Sequence, residues 1–236
     1  MLLLFALLTA FAARAEDAAS LARIHEEAIG GRLRLGLLQT MRVDGEVLID
    51  GRRLEFSLWA ERPNKIRMET RTDDHMIVQA TDGVNSPWQM DPNAETPKPT
   101  YLPASASLEF SADAEFDDPL VNYEAKGYTL DYAGTEDWYG RRAFKLFVTR
   151  RHVTGYYLLV DAETYFIVGK KSVRDLGFGR EIPIETRYDD FRPVAGIIMP
   201  HRVVVTSEDK PLHETRMRHV RPNAPVPPNA FAMPGR

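Results

Sequence analysis

The chain has 236 residues, 44% of them apolar and 27% charged, with a formal net charge of −4 and no cysteine. Those proportions describe an ordinary folded protein able to bury a sizeable core within one domain. They exclude a disulfide framework, a thiol nucleophile and a cysteine-borne acyl anchor, and they leave no basic surface footprint for nucleic acid or anionic headgroups.

Taken in order, Met1 to Ala12 is apolar almost throughout but too short to span a bilayer, and Ala13-Arg14-Ala15 behind it is a small-x-small site suited to signal peptidase. The expectation is a signal peptide over residues 1–15, cleavage after Ala15, and a single exported, soluble domain over 16–236. No basic region precedes the leucines, and a buried N-terminal helix is the alternative. Asp17 then N-caps a helix carrying Leu21, Ile24 and Ala28, which Gly30-Gly31 ends. Leu33, Leu35, Leu37 and Leu38 suit either a second helical turn or the beginning of a strand.

From Met41 the period becomes two. Met41, Val43, Gly45, Val47 and Ile49 alternate up to a tight turn at Asp50-Gly51. Leu54, Phe56, Leu58 and Ala60 share one face and Glu55, Ser57, Trp59 and Glu61 the other. Pro63-Asn64 interrupts the run, which resumes with Ile66, Met68 and Thr70 against Lys65, Arg67 and Glu69. This is a hairpin with one apolar and one charged face, as an antiparallel sheet requires when one side meets water. Met76 to Ala80 and Trp88 to Met90 read as further strands, Asn93 to Pro103 as a loop, and Ala104 to Phe116 as a short acidic surface helix. Alternation returns in Tyr128–Tyr132, Phe144–Val148, Tyr156–Val160, Ile182–Tyr188 and His201–Val205, separated by turns. Tyr156 to Val160 is apolar on both parities, so part of the sheet is covered on both faces or buried in an interface. The proline-rich segment from Pro222 to Pro234 is either an extended edge or a wrap, with Phe231 as the candidate plug.

Catalytic signals are missing. His213 and His219 share a strand parity, but no third ligand stands at diagnostic spacing, no G-x-S-x-G elbow exists, and Gly177-Phe178-Gly179 is a hairpin turn. Asp117-Asp118 and Asp189-Asp190 read as solvated carboxylates on polar turns. The expectation is a protein that is not an enzyme and holds neither metal nor cofactor.

The run Leu58-Trp59-x-x-Arg62-Pro63-Asn64, followed by Asp82-Gly83, Trp88 and Pro92, resembles the periplasmic outer-membrane lipoprotein carrier family, LolA and its sorting-protein relatives. Leu158-x-x-Asp161-Ala162-Glu163-Thr164-Tyr165, Tyr188-x-Asp190-Phe191 and Pro200-His201-Arg202 are similar to its longer branch. The resemblance implies a mainly β fold: an open, curved antiparallel half-barrel whose concave side is covered by a few short helices and encloses an apolar cavity. It implies a carrier that shields lipid or lipoprotein acyl chains and passes them from a membrane donor complex toward an outer-membrane receptor. An envelope lipid sensor or scaffold on the same fold is the alternative. The cavity lining is then Phe56, Leu58, Ile66, Met68, Val78, Phe144, Leu146, Val148, Tyr156 and Leu158. Arg62 matches the motif arginine that holds the lid shut, at a water-exposed strand end that would tolerate leucine; the plainer reading makes it a hairpin cap or a partner of Glu61 or another surface carboxylate. The segment between Asn93 and Gly127 is more acidic, and the C-terminal end longer, than in the simplest carriers.

Overall fold

The computed structural model describes residues 17–72, 75–151, 153–177 and 179–235, so the signal peptide expected over residues 1–15 lies outside the described residues, as does Phe178. Asp17 caps α1 (Ala18–Ala28): its carboxylate accepts from the Ser20 amide at 2.6 Å, giving a partner to a donor that the first turn leaves orphaned. Beyond Gly30-Gly31 the leucine-rich stretch is helical, forming α2 (Arg32–Leu37).

Then come β1 (Thr40–Ile49), β2 (Arg52–Glu61), β3 (Lys65–Arg71), β4 (Met76–Thr81), β5 (Trp88–Met90), β6 (Thr100–Tyr101) and α3 (Ala104–Asp113). The second half holds β7 (Tyr128–Trp138), β8 (Arg141–Arg150), β9 (Val153–Asp161), β10 (Ile167–Asp175), β11 (Glu181–Val194), β12 (Ile197–Ser207) and β13 (Lys210–Pro222). Among the described residues these strands make one antiparallel sheet in the order β6-β5-β4-β3-β2-β1-β13-β12-β11-β10-β9-β8-β7. It is two meanders sewn together where the first strand meets the last, and its outer edges, β6 and β7, do not pair: an open half-barrel. Local chemistry supports the connections. Asp50 and Gly51 both have positive φ, 49° and 74°, as a two-residue hairpin loop demands.

Several sequence expectations change. β6 forms inside the loop expected over Asn93–Pro103, and β10 and β13 are strands that alternation did not reveal. In β10, Lys170 and Arg174 occupy the face that is apolar in β9, and in β13 His213 and Thr215 face Glu214 and Arg216, so both parities look polar. A register shift opposite Asp44-Gly45 pairs His219 with Asp44 and Met217 with Gly45, which separates His219 from His213 onto opposite faces despite their common parity. Asp189 and Asp190 lie within β11 rather than on a turn.

Residues directly opposite one another in an antiparallel pair share a face. On the concave face, α1 lays Ala18, Leu21 and Ala22 against Phe144, Leu146, Val148, Leu158 and Val160. Leu21 is wholly buried, worth about 1.5–3 kcal/mol for such a side chain. On the convex face, the segment after β13 wraps back so that Ala230 and Phe231 cover Trp59, and Met233 approaches Val78, Ala80 and Trp88. Trp88 Nε1 donates to the Phe231 carbonyl at 3.1 Å, and Arg67 donates to that of Ala230 at 3.1 Å. A second convex cluster joins Leu159 to Trp138, which explains the doubly apolar run in β9. Elsewhere that face is ion-paired, with Glu136 held by Lys145 and Lys171, and Arg202 by Asp189 and Glu214.

Candidate functional site

The concave face is not filled by its helices. Across β1, β2 and β3 the register sets Gly45, Phe56 and Thr70 in one row and Val43, Leu58 and Met68 in the next. The side chains of these rows, with Ile66 and Met217, floor a cavity of about 560 Å³ beneath Ala106 and Phe110 of α3, the Phe56 ring lying over Gly45. Gly45 is required here: a Cβ would stand 2.3 Å from the Arg216 carbonyl oxygen and 2.8 Å from the Phe56 ring. A second cavity, about 350 Å³, lies under α1 and α2 and is walled by Tyr156, Leu158, Tyr188 and Met199. Asp113, Glu115 and Phe116 line both, so the chain leaving α3 is a partition between them. Both volumes fall in the range of small-ligand sites. A hollow of about 690 Å³ outside α3 is lined in good part by serine and asparagine, among them Asn64, Asn85, Ser86 and Ser107, and lacks the apolar floor of the other two.

The partition is anchored at Arg62. Its Nε donates to the Leu38 carbonyl at 2.6 Å, Nη2 to the Leu35 carbonyl at 2.7 Å and to Asp117 Oδ1 at 2.7 Å, and Nη1 to Asp117 Oδ2. The guanidinium carbon lies 4.6 Å from the centre of the Phe116 ring. One planar fork thus ties the end of α2, the tip of the β2–β3 hairpin and the partition together, geometry that lysine cannot reproduce. The backbone helps, since the Phe116 amide donates to the Pro63 carbonyl at 3.0 Å. The ion pair is largely shielded, its side chains 21% and 14% exposed. Arg62 is therefore no water-exposed strand end, and its partner is not Glu61. Asn64 completes the motif by donating to the Gly83 carbonyl at 3.3 Å, where Gly83 has a φ of +78°.

The next carboxylate is held from the other side. His25 of α1 is buried between the Tyr165 carbonyl, 2.8 Å from Nδ1, and Asp118 Oδ2, 3.1 Å from Nε2. Both neighbours are acceptors, so both ring nitrogens carry protons and the ring is an imidazolium. Burial opposes that charge, but the Asp118 carboxylate outweighs it and raises the pKa. Asp118 shifts down in return: burial works against the shift and His25 drives it. Asp117 and Asp118 are accordingly structural anchors rather than solvated turn residues. Glu115 accepts from Tyr128 at 2.8 Å and from Arg150 at 2.9 Å, and burial together with Glu115 pushes the Tyr128 hydroxyl up to about 12. By contrast, no residue of α3 is buried, and Arg174 reaches its Glu109 at 2.7 Å. α3 is held by polar contacts, not by a core.

Of the residues expected to line a cavity, Phe56, Leu58, Ile66 and Met68 stand together under α3, and Tyr156 and Leu158 line the second cavity. Phe144, Leu146 and Val148 are on the same face but sealed beneath α1. Val78 is a correction. It pairs with Glu69 and Met90, which turns it to the convex face below the C-terminal wrap, because β4 presents Gln79 to the cavity instead. Alternation missed Met199, Met217, Phe110, Phe116, His213 and Lys170. Met217 and His213 share one parity and could have been found had β13 been recognised.

No protein-family model matches the chain, and no curated protein matches it in sequence. Solved structures do. A domain assigned to outer membrane lipoprotein sorting in Vibrio parahaemolyticus superposes with a TM-score of 0.62 at 12% identity, covering 91% of this chain and 96% of that one. A DUF1329 family protein from Desulfovibrio piger gives 0.60 at 10% identity, covering 91% and 96%. The LolA superfamily protein NE2245 from Nitrosomonas europaea gives 0.58 at 14% identity, covering 93% and 99%. The chain therefore shares the fold of these structures, a LolA-like open half-barrel, over 91–93% of its length.

Proposed function

We propose that the protein is a periplasmic carrier that shields lipid acyl chains or a lipoprotein's acyl chains in its concave cavities and hands them on toward the outer membrane. The observation that carries this reading is an apolar concave face left open as two adjoining cavities, behind a helix and partition held by polar clasps. Burying a chain there stabilises the complex by about 0.8 kcal/mol per methylene, while a lid without buried residues can open without dismantling a core. Arg62 would act as the pin of that lid. Export follows from Ala13-Arg14-Ala15 and places the mature N-terminus at Glu16. Among the described residues no helix is long and apolar enough to cross a membrane.

The test has two steps. The protein is loaded with a fluorescent diacylated lipopeptide and then mixed with acceptor vesicles. Uptake followed by transfer supports the carrier, uptake without transfer supports a sensor, and no uptake contradicts both.

A further inference from the structure

We infer that the cavity beneath α1 and α2 is a headgroup site for a single-anion amphiphile, with the Lys170 ammonium as the anion's partner and the acyl chain running under α3. The inference deepens the carrier reading and rests on it.

Lys170 stands on the wrong face for an ordinary surface lysine. The pairing of β10 sets it beside Leu158 and Thr186, on the apolar concave side, and it lines the cavity together with Leu158, Tyr156 and Tyr188. Its neighbour Lys171 points to the convex face, where Glu136 at 2.6 Å and Glu185 at 3.7 Å neutralise it. The other cations lining the cavity are also engaged, His25 by Asp118 and Arg150 by Glu115. Among the described residues, Lys170 has no carboxylate within ion-pair distance and donates no hydrogen bond. Its ammonium lies 4.8 Å from the centre of the Tyr156 ring.

The carboxylates around it are mostly taken. Asp117 is held by Arg62, Asp118 by His25, and Glu115 by Arg150 and Tyr128. Asp113, at the end of α3, feels the Lys170 charge yet stops short of a salt bridge with it. A half-buried cation in an apolar wall is costly unless an anion meets it, and an entering carboxylate or phosphate would supply that anion. Tyr188 lines the same cavity, and its hydroxyl, without a hydrogen-bond partner among the described residues, is available to donate to a second oxygen. The shared chemistry is one oxyanion on an acyl chain, whether from a free fatty acid or from an anionic phospholipid.

The experiment measures displacement of an uncharged fluorescent acyl probe by palmitate, 1-palmitoyl lysophosphatidate and hexadecanol, from wild type, Lys170→Met and Lys170→Arg, with melting recorded beside each. At least one anionic ligand should bind at least about tenfold tighter than hexadecanol to wild type, as a charge-assisted contact implies. Lys170→Met should erase the preference and leave hexadecanol unchanged, and Lys170→Arg should restore it. A preference for palmitate alone identifies a fatty acid as the source, and one for lysophosphatidate alone a phospholipid. If Lys170→Met does not fold, the wild-type preference and Lys170→Gln decide. No preference in wild type, or one that survives loss of the lysine, overturns the headgroup site and leaves the carrier reading standing. Failure of all three ligands, hexadecanol included, overturns both.

Discussion

Arg62→Leu gives the sharpest test of the clasp. Leucine fills the volume but removes two donors to Asp117 and the donors to the Leu35 and Leu38 carbonyls, stranding a carboxylate that is only 14% exposed. Breaking one partner of a shielded pair costs about 3–5 kcal/mol. Asp117 lies on a loop and can turn partly to water, and the Leu35 carbonyl keeps the Leu38 amide at 3.2 Å, which argues for the lower end, about 3 kcal/mol. In a domain of this size that lowers the melting temperature by roughly 6–12 °C. The double variant Arg62→Leu, Asp117→Leu should recover most of the loss, because the stranded charge, rather than the missing pair, dominates. Hydrogen exchange should quicken first in residues 114–121, the segment the fork holds. Wild-type melting with unchanged exchange in that segment would refute the clasp.

Two further expectations are independent of it. Leu58→Asp puts a carboxylate into the cavity floor and should abolish uptake of an apolar probe, whereas Val78→Ala, on the convex face, should lower the unfolding free energy by about 2 kcal/mol and leave uptake intact; equal effects on uptake would mean the two faces are misassigned. The His25–Asp118 pair predicts a pH window. His25 is raised in the folded state, so its stabilisation is full below the unfolded value of 6.5 and fades as pH climbs through the raised one; Asp118 is lowered, so its share is full above 3.8 and fades as pH falls through the lowered one. The stability difference between wild type and His25→Leu should therefore peak between these values and shrink on the alkaline side, and a difference that stays flat from about pH 6 to 9 would contradict the imidazolium.

Much of the fold was legible because the chemistry repeats every second residue. Phe56, Leu58, Ile66 and Met68 announce both a strand and its apolar face, and Asp17, Asp50-Gly51 and Gly30-Gly31 mark the ends of elements by local conformation alone. Legibility failed where a strand carries polar groups on both faces. β10 and β13 read as charged segments because Lys170 lines one concave cavity, His213 the other, and Arg174 shares the Lys170 parity beside α3, so what hid those strands is also what makes the cavities chemically distinctive. Val78 failed for a different reason: Met76, Val78 and Ala80 alternate correctly, but which parity faces inward depends on the pairing with β3 and on a distant C-terminal segment that covers the outer face. The partners of Arg62 were equally invisible, since Asp117 is 55 positions away and Asp117-Asp118 is indistinguishable in sequence from a solvated acidic turn.

The central claim is that the concave cavities hold acyl chains, and native mass spectrometry of the protein purified from its own cell envelope tests it most directly. The protein should carry adducts whose masses match acyl lipids or acylated peptide, released on denaturation and absent from a folded Leu58→Asp variant. Protein that is uniformly free of adducts, and that also takes up no acyl probe after purification, would contradict it.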